Sequence, residues 1–196
     1  VVTGVQTCAL PILQSGVMRL THLTQQLLTL ARLEPDAQSP VMQSVELSAL
    51  CKSVITDQVR RAEASGIDLG LIEHAASSIF GDPETLRILL NNLVDNAIRY
   101  AGAHAKIDVA VRDTDQGVVL EVCDNGPGIS AAERERVLER FYRGNNQTGS
   151  GSGLGLAIVK TIAEQHGAQV VLDTAPNGLG LRVQVVFPFQ SEKYAG

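Results

Sequence analysis

The sequence contains few aromatic residues and few cysteines. Tryptophan is absent and aromatic residues make up 4% of the 196 residues, so the 44% that are hydrophobic predict a mainly aliphatic core. Cys8, Cys51 and Cys123 are widely spaced and odd in number, which favours neither a disulfide framework nor a metal site and fits a reducing compartment. The four histidines are equally scattered, without the spacing of metal ligands.

An excess of basic residues and a long apolar run are also missing. The net charge is -5, which counts against nucleic acid as the main partner. No apolar run reaches the roughly 18 residues that a membrane span needs, so we expect no membrane contact by these residues. The length fits one domain of ordinary size with an accessory segment.

The accessory segment is a leucine-rich stretch near the N-terminus. A helix is predicted from Leu13 to Glu34, and one helix cannot bury a leucine seam alone. Either another helix covers the seam or the seam packs onto its own domain. The leucines alternate spacings of three and four, as in the a/d seam of a coiled coil or helical bundle: Leu20, Leu23, Leu27 and Leu30.

Composition divides the rest of the chain. Residues 1–12 fit neither a signal peptide nor the helix that follows, and we expect them to be an unreliable or disordered N-terminus. The stretch PDAQSPVMQS interrupts the helical pattern as a linker does. The predicted segments are 13–36 for the helix, 37–44 for the linker, 45–190 for the main domain and 191–196 for a C-terminal tail.

The main domain mixes helices and strands. Hairpins dominate its second half, so the predicted fold class is α+β, a mixed sheet covered by helices on one face. Asp82 and Pro83 have the residue types of a helix N-cap and a first helical position. Helices are predicted near 47–64, 83–100, 131–139 and 154–166, and strands near 67–73, 78–80, 105–112, 117–123, 168–174 and 180–187.

One predicted helix carries polar residues on a face of its own. In NNLVDNAIR, Asn92, Asn96 and Arg99 follow an i, i+4, i+7 spacing, so they share one side of a helix whose other side is apolar. An amide oxygen suits a hard cation such as Mg²⁺, and a guanidinium suits phosphate oxygens. The alternative is that the asparagines cap or bridge neighbouring elements.

Three further stretches are candidates for a ligand site. In VCDNGPGI, the Asp124 carboxylate can accept a hydrogen bond from an amine such as that of adenine, or the stretch is a plain turn. In GSGSGLGLAIV, glycines precede an apolar helix. The free backbone N–H groups at the start of such a helix favour the binding of phosphate. The alternative is that the glycines form a flexible linker. The aromatic residues of ERFYRG either anchor the segment that follows them over a nucleotide or are ordinary core residues. Together the four stretches predict one pocket for an adenine, a metal and a triphosphate.

NNLVDNAIRY, DNGPGI, RFYRG and GSGSGLGLAIV resemble, in this order, the N, G1, F and G2 boxes of sensor histidine kinases. These kinases belong to the GHKL superfamily of ATP-binding proteins, with gyrase B, the MutL proteins and the heat-shock-90 chaperones. The resemblance covers about residues 45–190 and implies a Bergerat-type two-layer α/β sandwich preceded by one long α-helix. RLTHLTQQLLTLARLE resembles the second helix of the dimerisation and phosphotransfer hairpin, and the whole resembles the membrane-anchored kinases of the QseC group.

The resemblance implies binding of ATP and Mg²⁺. Asn96 would ligate the metal, Arg99 and Tyr100 would contact phosphates, and Asp124 would bind the adenine amine. Asn92 and Arg99 would be the catalytic residues. The remaining nucleotide-binding positions that the resemblance implies, besides Asn92, are Gly126, Gly128, Ile129, Phe141, Gly151, Gly153, Leu154, Gly155 and Leu156.

The resemblance also implies a reaction and its partners. The γ-phosphate of ATP would pass to a histidine on the first hairpin helix and then to the receiver domain of a response regulator. The full-length parent would form a homodimer through the hairpin and lie in the bacterial inner membrane, with these residues in the cytoplasm. The acceptor helix is not among them, and His22 is expected to be solvated or bundle-facing. We therefore expect ATP binding without autophosphorylation.

Asn92 separates sensor kinases from their ATP-hydrolysing relatives. Those relatives resemble one another in having Glu at this position, where it can activate water, whereas an amide cannot accept a proton at neutral pH. A second departure is Leu181, where the family often places Thr beside the adenine. Three alternatives stay open: a GHKL-family ATPase, an anti-sigma serine kinase, and a degenerate module that only binds a partner.

Overall fold

A computed structural model describes residues 16–17, 20–21, 23–33, 40–75, 77–144 and 151–189, with residues 73 and 74 described by their backbone alone. The predictions for residues 1–12, for His22, for most of the linker and for the tail lie outside these residues. Within the described ranges, no helix is both long and apolar enough to cross a membrane.

Strands form two separate sheets. The described residues contain β1 Gln43–Glu46, β2 Asp68–His74, β3 Ser78–Gly81, β4 Lys106–Thr114, β5 Gly117–Asp124, β6 Gln169–Thr174 and β7 Leu181–Phe187. Five of these strands form one sheet in the order β2-β4-β5-β7-β6, with β2 parallel to β4 and the other neighbours antiparallel. The remaining pair, β1 and β3, forms a small antiparallel sheet.

The helices that cover one face of the five-stranded sheet are α2 Leu47–Ala64, α3 Pro83–Tyr100 and α4 Gly155–Gln165. A further helix, α1 at 23–32, lies against α3 and the end of α4. Alternate residues of the central strands belong to the core cluster beneath these helices, such as Val109 on β4, Val122 on β5 and Val185 on β7. Such residues lie on one face of the sheet, because successive side chains of a strand point to opposite faces. The predicted α+β class, a mixed sheet with helices on one face, is confirmed.

Helix α3 begins and packs as its sequence predicts. The Asp82 carboxylate accepts hydrogen bonds from the backbone N–H groups of Glu84 at 2.9 Å and Thr85 at 3.3 Å, and Pro83 is the first helical residue. Asp82 therefore satisfies two donors that have no partner within the helix. The apolar face of α3 is fully in the core: Leu86, Leu89, Leu90, Leu93, Val94, Ala97 and Ile98 are buried.

The leucines of α1 divide between two faces. Leu30 and Leu33 are buried in the core cluster and Leu23 packs against it, so this face docks onto the chain's own domain. Leu20 and Leu27 are exposed. Of the two alternatives for the seam, packing onto the same domain therefore describes one half of it, and the other half has no cover among the described residues.

The predicted helix at 131–139 is wrong. The structure has two 3₁₀ segments, Ala131–Glu133 and Arg136–Leu138, and Val137 is their buried residue. Tertiary contacts explain the interruption, because the Arg134 guanidinium between the segments bonds Asp173 and Thr174 at 3.1 and 2.6 Å. With a single buried apolar residue, the stretch lacks the stripe that stabilises an α-helix by packing.

Strand β1 begins inside the stretch predicted as a linker. Gln43 and Ser44 pair with Gly81 and Phe80 of β3. Only Val45 of this strand is buried. A short edge strand with one buried side chain has almost no periodic signal, so its sequence could not distinguish it from a loop.

Replacing the Asp82 cap should destabilise the domain. We expect Asp82→Ala to lower the free energy of unfolding by about 1–2 kcal/mol, because two helix N–H groups and the Val41 N–H lose their acceptor. Chemical denaturation measures this change. Asp115→Ala, in the exposed turn after β4, is the control and should stay within about 0.5 kcal/mol of the parent. An equal effect of both substitutions would contradict the capping role.

Candidate functional site

A cavity of about 710 Å³ lies between α3, the glycine-rich segment before α4, the end of β5 and the β6–β7 turn. Three predicted site residues, Gly126, Phe141 and Leu154, do not line it. The predicted residues that do are Asn92, Asn96, Arg99, Tyr100, Asp124, Gly128, Ile129, Gly151, Gly153, Gly155 and Leu156. The structure thus brings residues from four separated stretches of sequence to one concave surface.

The polar face of α3 forms one wall of the cavity. The Asn92 side-chain Nδ2 donates to the carbonyl oxygen of Ile88 at 2.8 Å, which fixes the amide against its own helix. A Cβ on Gly155 would lie 3.0 Å from both amide atoms of Asn96. The start of α4 can therefore approach the α3 amides this closely because residue 155 has no side chain.

Asp124 lies at the opposite wall, at the end of β5. Its Oδ1 accepts hydrogen bonds from the backbone N–H groups of Gly126 at 2.8 Å and Leu181 at 3.3 Å. The residue is 8% exposed. Burial raises the pKa of this carboxyl, and the two backbone hydrogen bonds oppose that rise. Both bonds use Oδ1, so Oδ2 can accept a donor from a ligand.

The β6–β7 turn packs on the backbone around Asp124. Gly180 has φ of 97°, and a Cβ there would overlap the carbonyl oxygen of Asp124. Gly128 has φ of 71°, and its Cβ would lie 2.7 Å from the carbonyl oxygen of Gly180. Glycine meets both the positive φ and the close approach. These contacts place Leu181, whose N–H holds Asp124, at the cavity wall.

The glycine-rich segment faces the basic end of α3. A Cβ on Gly151 would overlap the Tyr100 hydroxyl and lie 3.9 Å from a guanidinium nitrogen of Arg99. The Phe141 backbone N–H donates to the Gly153 carbonyl oxygen at 2.9 Å, and both residues have positive φ. The Phe141 side chain is 61% exposed, so this contact with the segment is made by its backbone. Leu154, in contrast, is fully buried in the core.

Several lining residues were missed from the sequence. Tyr142 rather than Phe141 lines the cavity, and its ring lies 4.4 Å from the Arg136 guanidinium. The glycines of APNGLG predicted a turn but not that the turn lies at the cavity wall. Nothing in the sequence indicated that Gln26 lines the cavity, since it lies in the leucine-rich helix. The residues missed include Gln26, Glu133, Val137, Tyr142, Ser152, Thr174 and the turn at 178–180.

Comparison with known proteins identifies the family of this chain. The sequence model of a family described as histidine kinase-, DNA gyrase B-, and HSP90-like ATPase matches residues 81–191. The chain belongs to this ATPase family. The match spans most of the elements around the cavity, namely α3, the Asp124 turn, the glycine-rich segment and the β6–β7 turn, and it confirms the predicted family of ATP-binding proteins.

Relatives of this ATPase-family chain are sensor kinases. The sensor protein kinase PmrB of Pseudomonas aeruginosa is 38% identical over 174 residues, which cover 88% of this chain and 36% of PmrB. The sensor protein QseC of Escherichia coli (strain K12) is 40% identical over 167 residues, which cover 85% of this chain and 36% of QseC. The chain thus spans about a third of the length of these curated relatives.

A solved structure agrees with the fold. Full-length ShkA in complex with AMPPNP matches with a TM-score of 0.76 at 28% identity, covering 96% of this chain and 40% of the ShkA chain. The match therefore extends over nearly all of this ATPase-family chain.

The titration of Asp124 should reflect its burial. We expect an NMR titration to give its carboxyl a pKa above the ordinary 3.8, because desolvation disfavours the charged form. The folded state then holds this proton more tightly than the unfolded chain does. The contribution of Asp124 to the free energy of unfolding should therefore decrease as pH rises from 3.8 through the raised pKa, and Asp124→Asn should remove this pH dependence. A midpoint at or below 3.8 would contradict the dominance of burial.

Proposed function

We propose that this chain is the ATP-binding catalytic part of a two-component sensor histidine kinase. The observation that carries the proposal is the buried Asp124 carboxylate, held by two backbone N–H groups at one wall of a 710 Å³ cavity. An acceptor fixed in an apolar wall selects a ligand that presents an amine, such as adenine. The similarity to PmrB and QseC supports the kinase assignment.

The opposite wall suits a triphosphate. Arg99 and Tyr100 end α3 beside Gly151, and Gly151, Gly153 and Gly155 line the cavity just before or at the start of α4. A guanidinium, a hydroxyl and backbone N–H groups at a helix start are donors for phosphate oxygens. We therefore assign the adenine to the Asp124 wall and the phosphates to the wall between α3 and α4.

Asn96 is the proposed ligand of Mg²⁺. Among the described residues no three His, Cys, Asp or Glu side chains lie together as a metal site. A single amide oxygen fits Mg²⁺, which takes one or two protein ligands and completes its octahedron with phosphates and water. When bound, the ion would neutralise phosphate charge next to Asn96, and the residue's part is to orient it.

Asn92 favours phosphoryl transfer over hydrolysis. Its amide is bonded to Ile88 and cannot take a proton from water at neutral pH. Phosphoryl transfer depends mainly on positioning and charge stabilisation, for which Asn92 and Arg99 remain suited. We propose that the acceptor is a histidine on the first helix of a dimerisation hairpin, that a response-regulator receiver domain follows, and that the exposed leucines of α1 take part in a homodimer.

The location of the parent protein follows from the same assignment. PmrB and QseC are sensor proteins about two and a half times as long as this chain. A solved structure described as the cytoplasmic segment of QseC matches with a TM-score of 0.61 at 30% identity, covering 87% of this chain and 93% of that segment. We propose that the described residues lie in the cytoplasm, as part of a kinase of the bacterial inner membrane.

Asp124→Asn tests the adenine assignment with almost no change of shape. The backbone N–H groups of Gly126 and Leu181 should hold the amide oxygen, which turns the amide NH₂ towards the ligand. The amide NH₂ and the adenine amine are both donors, so they cannot form the hydrogen bond that the carboxylate accepts. We expect calorimetry to show a loss of affinity for AMPPNP of tenfold or more.

The control for this measurement is Asp115→Asn, in the exposed turn after β4, which should bind as the parent does. Wild-type affinity in Asp124→Asn would remove Asp124 from the nucleotide site. If the unsubstituted chain bound no nucleotide, the degenerate binding module would be the better assignment.

Asn92→Glu tests the choice between kinase and ATPase. A carboxylate at this position can accept a proton from water, so we expect steady-state ATP hydrolysis to rise about tenfold or more above that of the unsubstituted chain. Asn91→Glu is the matched control, because Asn91 bonds Gln58 of α2 at 3.2 Å and does not line the cavity. Hydrolysis by the unsubstituted chain that survives Asn92→Ala would instead favour an ATPase.

A further inference from the structure

One cavity-lining residue comes from outside the ATPase-family match. Gln26 lies on α1, whereas the match begins at residue 81. Its neighbours Gln25 and Leu27 are exposed, but Gln26 itself is 7% exposed. A buried carboxamide has donors and an acceptor that must find partners, so its contacts show what it does there.

Gln26 bonds to two segments of the proposed nucleotide site. Its Nε2 donates to Asn92 Oδ1 at 3.4 Å, and its Oε1 accepts from the Ser152 hydroxyl at 2.5 Å. The Ser152 oxygen accepts in turn from the backbone N–H of Leu154 at 3.2 Å. A continuous chain of hydrogen bonds therefore joins the polar face of α3, through α1, to the segment that starts α4.

The docking of α1 has other anchors. Leu30 and Leu33 are buried in the core, and the Gln165 side chain at the end of α4 donates to the Leu33 carbonyl oxygen at 2.8 Å. These contacts lie about one to two helical turns away from the 3.4 Å bond between Gln26 and Asn92. Attachment of the helix thus does not depend on Gln26, which leaves a more specific role for its amide.

We propose that Gln26 is a positioning residue of the nucleotide site, supplied by α1 rather than by the ATP-binding domain. It fixes the Asn92 amide and the Ser152 hydroxyl relative to each other, so that the wall formed by α3 and the segment 151–155 are pre-organised for the phosphates. Nucleotide affinity then depends on α1 being docked. This inference rests on the proposed function, since it assumes that the cavity binds a nucleotide.

The test uses the whole chain and removes the hydrogen-bond bridge between Gln26 and Ser152 from either of its two ends. Gln26→Leu removes the amide at similar size, and Ser152→Ala removes the hydroxyl. We expect each to weaken AMPPNP binding in the presence of Mg²⁺ about three- to tenfold by calorimetry, as for the loss of a buried hydrogen bond. The double variant should lose little more than either single one, because each substitution breaks the Gln26–Ser152 bond on which the connection from α3 to the segment 151–155 depends.

Two further variants separate positioning from packing. Gln25→Leu makes the same substitution on the exposed side of α1 and should bind within about twofold of the parent. Gln26→Met fills a similar space without the amide donor and without adding a charge beside the phosphates, so it should lose about as much affinity as Gln26→Leu. A residue that acts only by filling space would give Gln26→Met the affinity of the parent.

The outcomes distinguish this inference from the proposed function. If the parent binds and Gln26→Leu binds equally well, or if the losses of the two single variants add, the bridge has no positioning role. If Gln26→Leu does not fold, parental affinity in Ser152→Ala still overturns the inference. Absence of binding by the parent would overturn the nucleotide site itself, together with this inference.

Discussion

Helix α3 buries one face completely and presents the other to the cavity, and the rest of the site depends on this division. Its seven buried apolar residues leave no freedom to rotate the helix, since a turn about its axis would expose leucines and bury amides. Asn92, Asn96 and Arg99 are therefore fixed in direction by the core beneath them. The polar residues of the site are positioned by apolar packing that they do not take part in.

Glycines determine how closely the other walls approach. Gly155 lets the start of α4 reach the Asn96 amide, and Gly180 lets the β6–β7 turn reach the Asp124 backbone. Each is a contact between elements far apart in sequence, where a Cβ would crowd the Asn96 amide in one case and overlap the Asp124 backbone in the other. The cavity thus has its shape from missing side chains as much as from the polar groups that line it.

Features carried by a single element could be predicted from the sequence. The apolar stripe of α3, its Asp82 cap and the hairpins β4–β5 and β6–β7 follow from local periodicity and turn chemistry. The order of the boxes indicated which residues would share a pocket. The helix predicted at 131–139 was wrong because the conformation of this stretch depends on the bonds between Arg134 and strand β6, which no local pattern encodes.

The sequence by itself determined the α+β class and the residue types available at each wall, since periodicity and motif spacing are local properties, and the resemblance of its four motifs indicated the ATP-binding family. Tertiary structure alone decided that one face of the α1 leucine seam docks onto the domain and that Gln26 reaches both Asn92 and Ser152. It also decided that Leu181 donates its N–H to Asp124. These contacts join residues from 57 to 126 positions apart, and such pairings are set by how the packed layers meet rather than by any segment's own pattern.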